Sequence, residues 1–226
     1  LATRVKSDAT DLEALRLLAE FGLWRLADRA ERSAARAALC AALGDAATSL
    51  AKRVHAVGTL GDEKDHATVR SVFGADVRGS PTEQCVVLLR RAVELYSRVA
   101  ETDTRAAWSA GNASNELGKV YLSRSDFLAA REWFKGAEGL FERVGDWMNW
   151  SFVRFNVAHS LRAEAAVQGE DDGASSEDVA DAERVTTAAG VVVWSRRVRS
   201  LLTRALDELD AVRRVVASDK KVARRD

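Results

Sequence analysis

The chain contains one proline in 226 residues, where average usage is roughly 5%. Proline removes a backbone donor and clashes inside helices, so its near absence fits long helices joined by short turns. Cysteine is almost as scarce. Cys40 and Cys85 stand far apart and belong to no Cys-x-x-Cys pair, which excludes a disulfide framework and predicts an intracellular, reducing compartment. Both lie in apolar helical runs, the setting of buried structural thiols. No apolar run approaches the ~20 residues that span a bilayer, so no membrane partner is expected. Nor does one sign of charge dominate. Lys plus Arg and Asp plus Glu are both 34, which removes the usual electrostatic argument for direct nucleic-acid binding. The basic run from Lys220 to Arg225 reads as a short solvated tail, with a nucleic-acid contact or an import signal as the alternative.

Catalytic signatures are missing too. His55, His66 and His159 are dispersed, with no partners at metal-ligand spacing. There is no phosphate-binding loop, no Gly-x-Ser-x-Gly elbow and no dinucleotide fingerprint. The sequence predicts no enzyme, no metal and no cofactor. The N-terminal Leu1-Ala2-Thr3-Arg4 has neither an initiator Met nor a signal-peptide layout, and it reads as the cut end of a longer protein.

Ala, Leu, Arg and Glu fill the chain, and all are good helix formers. The expected fold is all-α, with about seven or eight helices stacked as hairpins in a tetratricopeptide-like solenoid. Leu12, Leu15, Leu18, Leu23, Leu26 and Ala30 recur at helical spacing, so a first helix is predicted from about Asp8 to Leu43, kinked or divided at Gly22. Gly44-Asp45 reads as a turn before a shorter helix, Ala46 to Val57. The polar stretch from Gly58 to Gly79 reads as a loop with one helical turn near Val69 to Phe73. Ser80-Pro81-Thr82-Glu83 is a helix start with the elements of a capping box. From it a helix should run to about Ala100, with further helices near Asp103–Ser123, Asp126–Val144 and Trp147–Val167. The acidic run Gly169 to Ser176 has no large apolar side chain and reads as a flexible loop, spanning 169–178. A last helix is expected from about Glu177 to Ala217, broken near Gly190. The expected division is an N-terminal helical segment, 1–79, and a helical repeat domain, 80–226.

One stretch is more specific. Gly118, Tyr121, Ala130, Phe134 and Ala137 follow at gaps of three, nine, four and three. These are the gaps of the tetratricopeptide signature, small and aromatic residues in order. A glycine where two helices cross lets their backbones approach, and the aromatic rings fill the adjoining spaces. A degenerate copy stands forty positions later, Ala158 replacing Gly118 and Leu161 replacing Tyr121. Upstream, Ala92 and Tyr96 are expected to face inward as the second helix of a preceding unit.

The run from Gly111 to Tyr121, with Trp133 to Ala137, Leu140 to Asp146 and Asn149 after it, resembles the repeat region of the erythroid differentiation-related factor family. The resemblance covers about residues 108–164. It implies a large intracellular protein with tetratricopeptide units, linked to transcriptional control in the nucleus through protein contacts, with no catalytic residues to transfer.

Tetratricopeptide arrays usually take peptides along the first helix of each pair. The peptide-groove candidates are Asn112, Asn115, Lys119 and Leu122, and in the second copy Asn156, His159 and Arg162. An asparagine side chain offers both a donor and an acceptor to a peptide backbone, and Lys119 and Arg162 suit a carboxylate. On a solvated face the same residues would be ordinary surface polarity. Trp133, Trp147 and Trp150 crowd one hairpin, with Phe134, Phe141, Phe152 and Phe155 nearby. Helical spacing predicts core packing, with exposure at Trp147 near the turn allowed, and the alternative is a binding anchor. The predicted function is a protein-interaction module of a larger regulatory protein, its partners a protein or peptide ligand and the rest of the parent chain. The alternative is a structural helical scaffold for intramolecular packing or self-association.

Overall fold

A computed structural model describes residues 11–20, 25, 34–73, 77–174 and 196–222. Among them are eight helices and no strand: α1 (Asp11–Glu20), α2 (Ala34–Val57), α3 (Glu63–Phe73), α4 (Pro81–Ser97), α5 (Thr104–Ser123), α6 (Phe127–Val144), α7 (Trp147–Ala174) and α8 (Arg196–Val222). No described helix is long and apolar enough to cross a membrane.

The helix ends follow from local chemistry. The Ser80 hydroxyl accepts the Glu83 amide at 3.3 Å, while the Ser80 amide donates to the Glu83 carboxylate at 2.7 Å. These reciprocal bonds, with Pro81 in the first turn, start α4. Hydrogen bonds from the Ser80 backbone and hydroxyl also hold the Glu83 carboxyl below its ordinary value. Asp103 accepts the amides of Arg105 and Ala106 to start α5, and Asp126 accepts that of Ala129 to start α6. Gly145, at φ +73°, closes α6 in the left-handed conformation that glycine adopts without penalty.

Packing proceeds through neighbours. α2 lies on α4, α4 on α5, α5 on α6, α6 on α7 and α7 on α8, while α1 rests mainly on α3. One buried core runs from Leu12 through α2, α4, α5 and α6 to Val153, so packing is continuous across residues 79 and 80. A smaller core joins Ala158, Leu161 and Ala165 of α7 to Val198, Leu201 and Ala205 of α8.

Glycines set the closest crossings. A Cβ on Gly118 of α5 would fall 2.3 Å from the ring of Phe134 in α6, and Phe134 is fully buried. A Cβ on Gly44 of α2 would fall 2.6 Å from the ring of Tyr96 in α4. Tyr121, Ala130 and Ala137 are buried around the first of these contacts.

Charged groups tie the later helices. Arg131 of α6 meets Glu164 of α7 at 2.6 Å. Arg154 of α7 binds Glu138 of α6 and Glu208 of α8, with its guanidinium 5.0 Å from the centre of the Trp150 ring. Burial pushes the Glu208 carboxyl above its ordinary value despite the neighbouring Arg154.

Several expected boundaries are corrected. Gly44-Asp45 is not a turn but the middle of α2. The alanines around it favour helix, and Gly44 is small because Tyr96 occupies the space beside it. The first helix, expected from about Asp8 to Leu43 and kinked or divided at Gly22, is described as α1, Asp11–Glu20, and as the first part of α2 from Ala34. Gly22, Leu23 and Leu26 lie outside the described residues. The loop from Gly58 to Gly79 contains the eleven-residue α3, whose Val69, Val72 and Phe73 are buried on one face. Asp62 supports its start by accepting the Asp65 amide.

The acidic flexible loop at 169–178 is corrected as well. α7 continues to Ala174, because a formed helix gains a backbone hydrogen bond for each added residue without needing a buried face. Residues 175–178 lie outside the described residues. The last helix is described from Arg196 to Val222, and its expected stretch from Glu177 through Gly190 and Trp194 lies outside them.

Gly118→Ala should lose about 1–3 kcal/mol by overpacking against Phe134. Gly136→Ala and Gly139→Ala should gain up to about 1 kcal/mol, since an added Cβ meets nothing within 4 Å at either site. Urea unfolding curves measure both, and equal behaviour of the three variants would contradict the crossing geometry. Arg154→Met, which leaves Glu138 and Glu208 without their shared cation, should cost about 2 kcal/mol, and Glu208→Gln less than about 1. The same curves check that order.

Candidate functional site

Between α2 and α5, with Tyr96 of α4 also on its wall, lies an open cleft of about 460 Å³. Asp45, Thr48, Ser49 and Lys52 line it from α2, and Arg105, Trp108, Ser109, Asn112 and Glu116 from α5. Helical spacing places these residues on the facing stripes of two helices, a turn apart along each.

Several cleft groups are held in place. The Tyr96 hydroxyl donates to Asp45 at 2.7 Å. Burial pushes this phenol well above its ordinary value and the Asp45 carboxylate adds to the shift, so Tyr96 stays a neutral donor. Arg105 stands 3.9 Å from the other Asp45 oxygen. The Trp108 side chain is 42% exposed, yet its indole N–H donates to Asp146 at 2.7 Å. That bond joins α5 to the turn between α6 and α7. An exposed aromatic ring fixed by a hydrogen bond loses little freedom when a ligand covers it.

Asn112 and Lys52 are available. Neither has a hydrogen bond or ion pair among the described residues. With the hydroxyls of Thr48, Ser49 and Ser109 they give donors and acceptors along the cleft. Two cations and two carboxylates line it. This mixture suits a polar chain better than a uniformly charged polymer.

The expected groove residues divide. Asn112 lines the cleft. Asn115 and Asn156 come together, the Asn156 amide donating to the Asn115 carbonyl oxygen at 2.8 Å between α7 and α5. Lys119 is exposed and pairs with Glu116 at 2.8 Å. Leu122 is half-buried and packs against the main core. His159 and Arg162 are exposed on α7 and do not line the cleft. The aromatic cluster is corrected in part. Phe134, Phe141 and Trp150 are buried, whereas Phe152 and Phe155 are each 58% exposed.

The α2 wall and Arg105, Trp108 and Glu116 were not legible as site residues. The available signal was the pair Ala92 and Tyr96, spaced like Ala130 and Phe134. In the structure Gly44 stands to Tyr96 as Gly118 does to Phe134, but 52 residues separate the first two and 16 the second two, so the spacing alone does not reach Gly44 or the α2 wall. Cys40 and Cys85 are buried, and the Cys85 thiol donates to the Ala51 carbonyl. No group of three or more potential metal ligands occurs among the described residues.

Asp146 ties this site to pH. Burial works to raise its carboxyl, but hydrogen bonds from the Asn149 backbone and side chain and from Trp108 outweigh it and hold the group below its ordinary value. A lowered carboxyl stabilises the fold above the unfolded value of about 3.9, and that stability disappears as pH falls through the lower folded value. Asp146→Asn should therefore cost about 1 kcal/mol at about pH 7 and less at about pH 2, where protonation has begun to remove the wild-type contribution. Urea midpoints at the two pH values measure this, and an equal cost at both would contradict it.

No protein-family model matches this chain, and no curated protein is significantly similar to it.

Proposed function

We propose that the protein is an interaction module of the tetratricopeptide type, binding an extended segment of another protein in the cleft between α2 and α5. The carrying observation is the cleft itself, where the unpartnered Asn112 and Lys52 stand beside an exposed but anchored Trp108. An asparagine can bond both the N–H and the C=O of a peptide backbone, and Trp108 offers an apolar face to a side chain. The pairing order supports the repeat reading: α2 with α4, α5 with α6 and α7 with α8, each pair packed on the next. The glycine-to-ring contacts in the first two pairs support it as well. In this reading α2, α5 and α7 are the first helices of three units, and α3 is an insertion within the first.

The resemblance of residues 108–164 to the erythroid differentiation-related factor family extends the proposal to a larger intracellular regulatory protein acting in transcriptional control in the nucleus. The partner is then a protein, and the module contributes binding without catalysis.

Affinity capture from nuclear and cytoplasmic extracts tests this, comparing the chain with a Ser109→Arg/Asn112→Arg variant that fills the cleft. Partners retained by the wild type and lost by a variant of unchanged circular dichroism are the expected outcome. Identical partner sets for both would remove the cleft from the mechanism.

A further inference from the structure

Met148, Phe152, Phe155, His159 and Arg162 follow one another along α7 at gaps of four, three, four and three. This alternation puts them on one stripe of the helix with the period of a helix-to-helix seam. All five are exposed, Met148 to 68%. The other side of α7 is already engaged, with Trp150 and Val153 in the main core and Ala158, Leu161 and Ala165 against α8. Among the described residues nothing covers the stripe, yet it carries three large apolar side chains in succession. Such a contiguous apolar patch marks an interaction surface.

Charge along the stripe selects the occupant. Its first half is apolar, and its second half is polar and ends in the cation Arg162. Neither His159 nor Arg162 has an ion pair or hydrogen bond among the described residues, and no stripe position carries a carboxylate. A second copy laid parallel would set Arg162 against Arg162. Laid antiparallel, it would set Arg162 against the apolar end of the stripe at Met148. Neither arrangement supplies a counter-charge, whereas a partner helix with carboxylates at one end does.

We propose that this face of α7 docks one amphipathic helix of a partner protein. That helix carries apolar residues at heptad spacing against Met148, Phe152 and Phe155, and Asp or Glu opposite His159 and Arg162. The surface is separate from the α2–α5 cleft, so either site can fail alone.

Two synthetic helical peptides of about three heptads serve as probes. Both have leucine at the seam positions, and they differ only in glutamate or lysine flanking one end of the seam. Fluorescence anisotropy with the full chain should show the glutamate peptide binding about tenfold or more tightly than the lysine peptide, a difference of about 1.4 kcal/mol. Phe152→Glu/Phe155→Glu should weaken it by a further tenfold or more with the circular dichroism unchanged, since both rings are exposed. His159→Glu/Arg162→Glu should invert the preference between the peptides, whereas Ser109→Arg/Asn112→Arg should leave both affinities unchanged. Equal affinity for the two peptides, or binding that survives the phenylalanine substitutions, overturns the proposal. So does loss of binding in the cleft variant, which would place the peptide in the cleft. Sedimentation equilibrium adds a last outcome: wild-type dimers abolished by the phenylalanine substitutions would assign the stripe to a second copy.

Discussion

The closest helix crossings depend on an aromatic ring occupying the space a side chain would need. Gly118 admits Phe134, and Gly44 admits Tyr96. A glycine inside a helix costs roughly 1 kcal/mol relative to alanine, so each must recover that through packing. Here the return is a close backbone approach and a buried ring. Gly111 follows the same pattern more loosely, since its Cβ would lie 3.0 Å from the ring of Phe141. These contacts set how near α2 stands to α4 and α5 to α6. The facing stripes of α2 and α5 left over then form the cleft.

Polar bonds fix what the crossings leave free. Tyr96 fills the space beside Gly44 and also donates to Asp45 in the cleft wall, so one side chain serves both packing and site. Arg90 of α4 donates to the Tyr121 hydroxyl at 2.6 Å and joins the first pair to the second. Arg154, Glu138 and Glu208 connect α6, α7 and α8, and the Asn115–Asn156 bond joins α5 to α7. The cleft is consequently walled by helices that are cross-linked at several points.

Legibility in the sequence followed locality. The helix starts at Ser80 and near Asp103 and Asp126, and the break after Val144, rest on contacts within a few residues, and pattern reasoning reached them. The unit built on Gly118 was legible because its two helices are separated only by a short turn. The unit built on Gly44 was not, since α3 stands between α2 and α4 and a glycine beside an aspartate resembles a turn. Phe152 and Phe155 show a different limit. Helical spacing shows that they share a face, but which face of α7 is covered depends on α6 and α8. Asn112 could be assigned by its distance from Gly118, whereas Lys52 and Trp108 required knowing that α2 lies beside α5.

The central claim is that the α2–α5 face is where a partner binds. A photo-crosslinking amino acid at position 109, compared with one at position 139 on the exposed surface of α6, tests it directly. The account predicts a discrete crosslinked partner from position 109 and none from position 139. Crosslinks at 139 alone, or equal products from both positions, would contradict it.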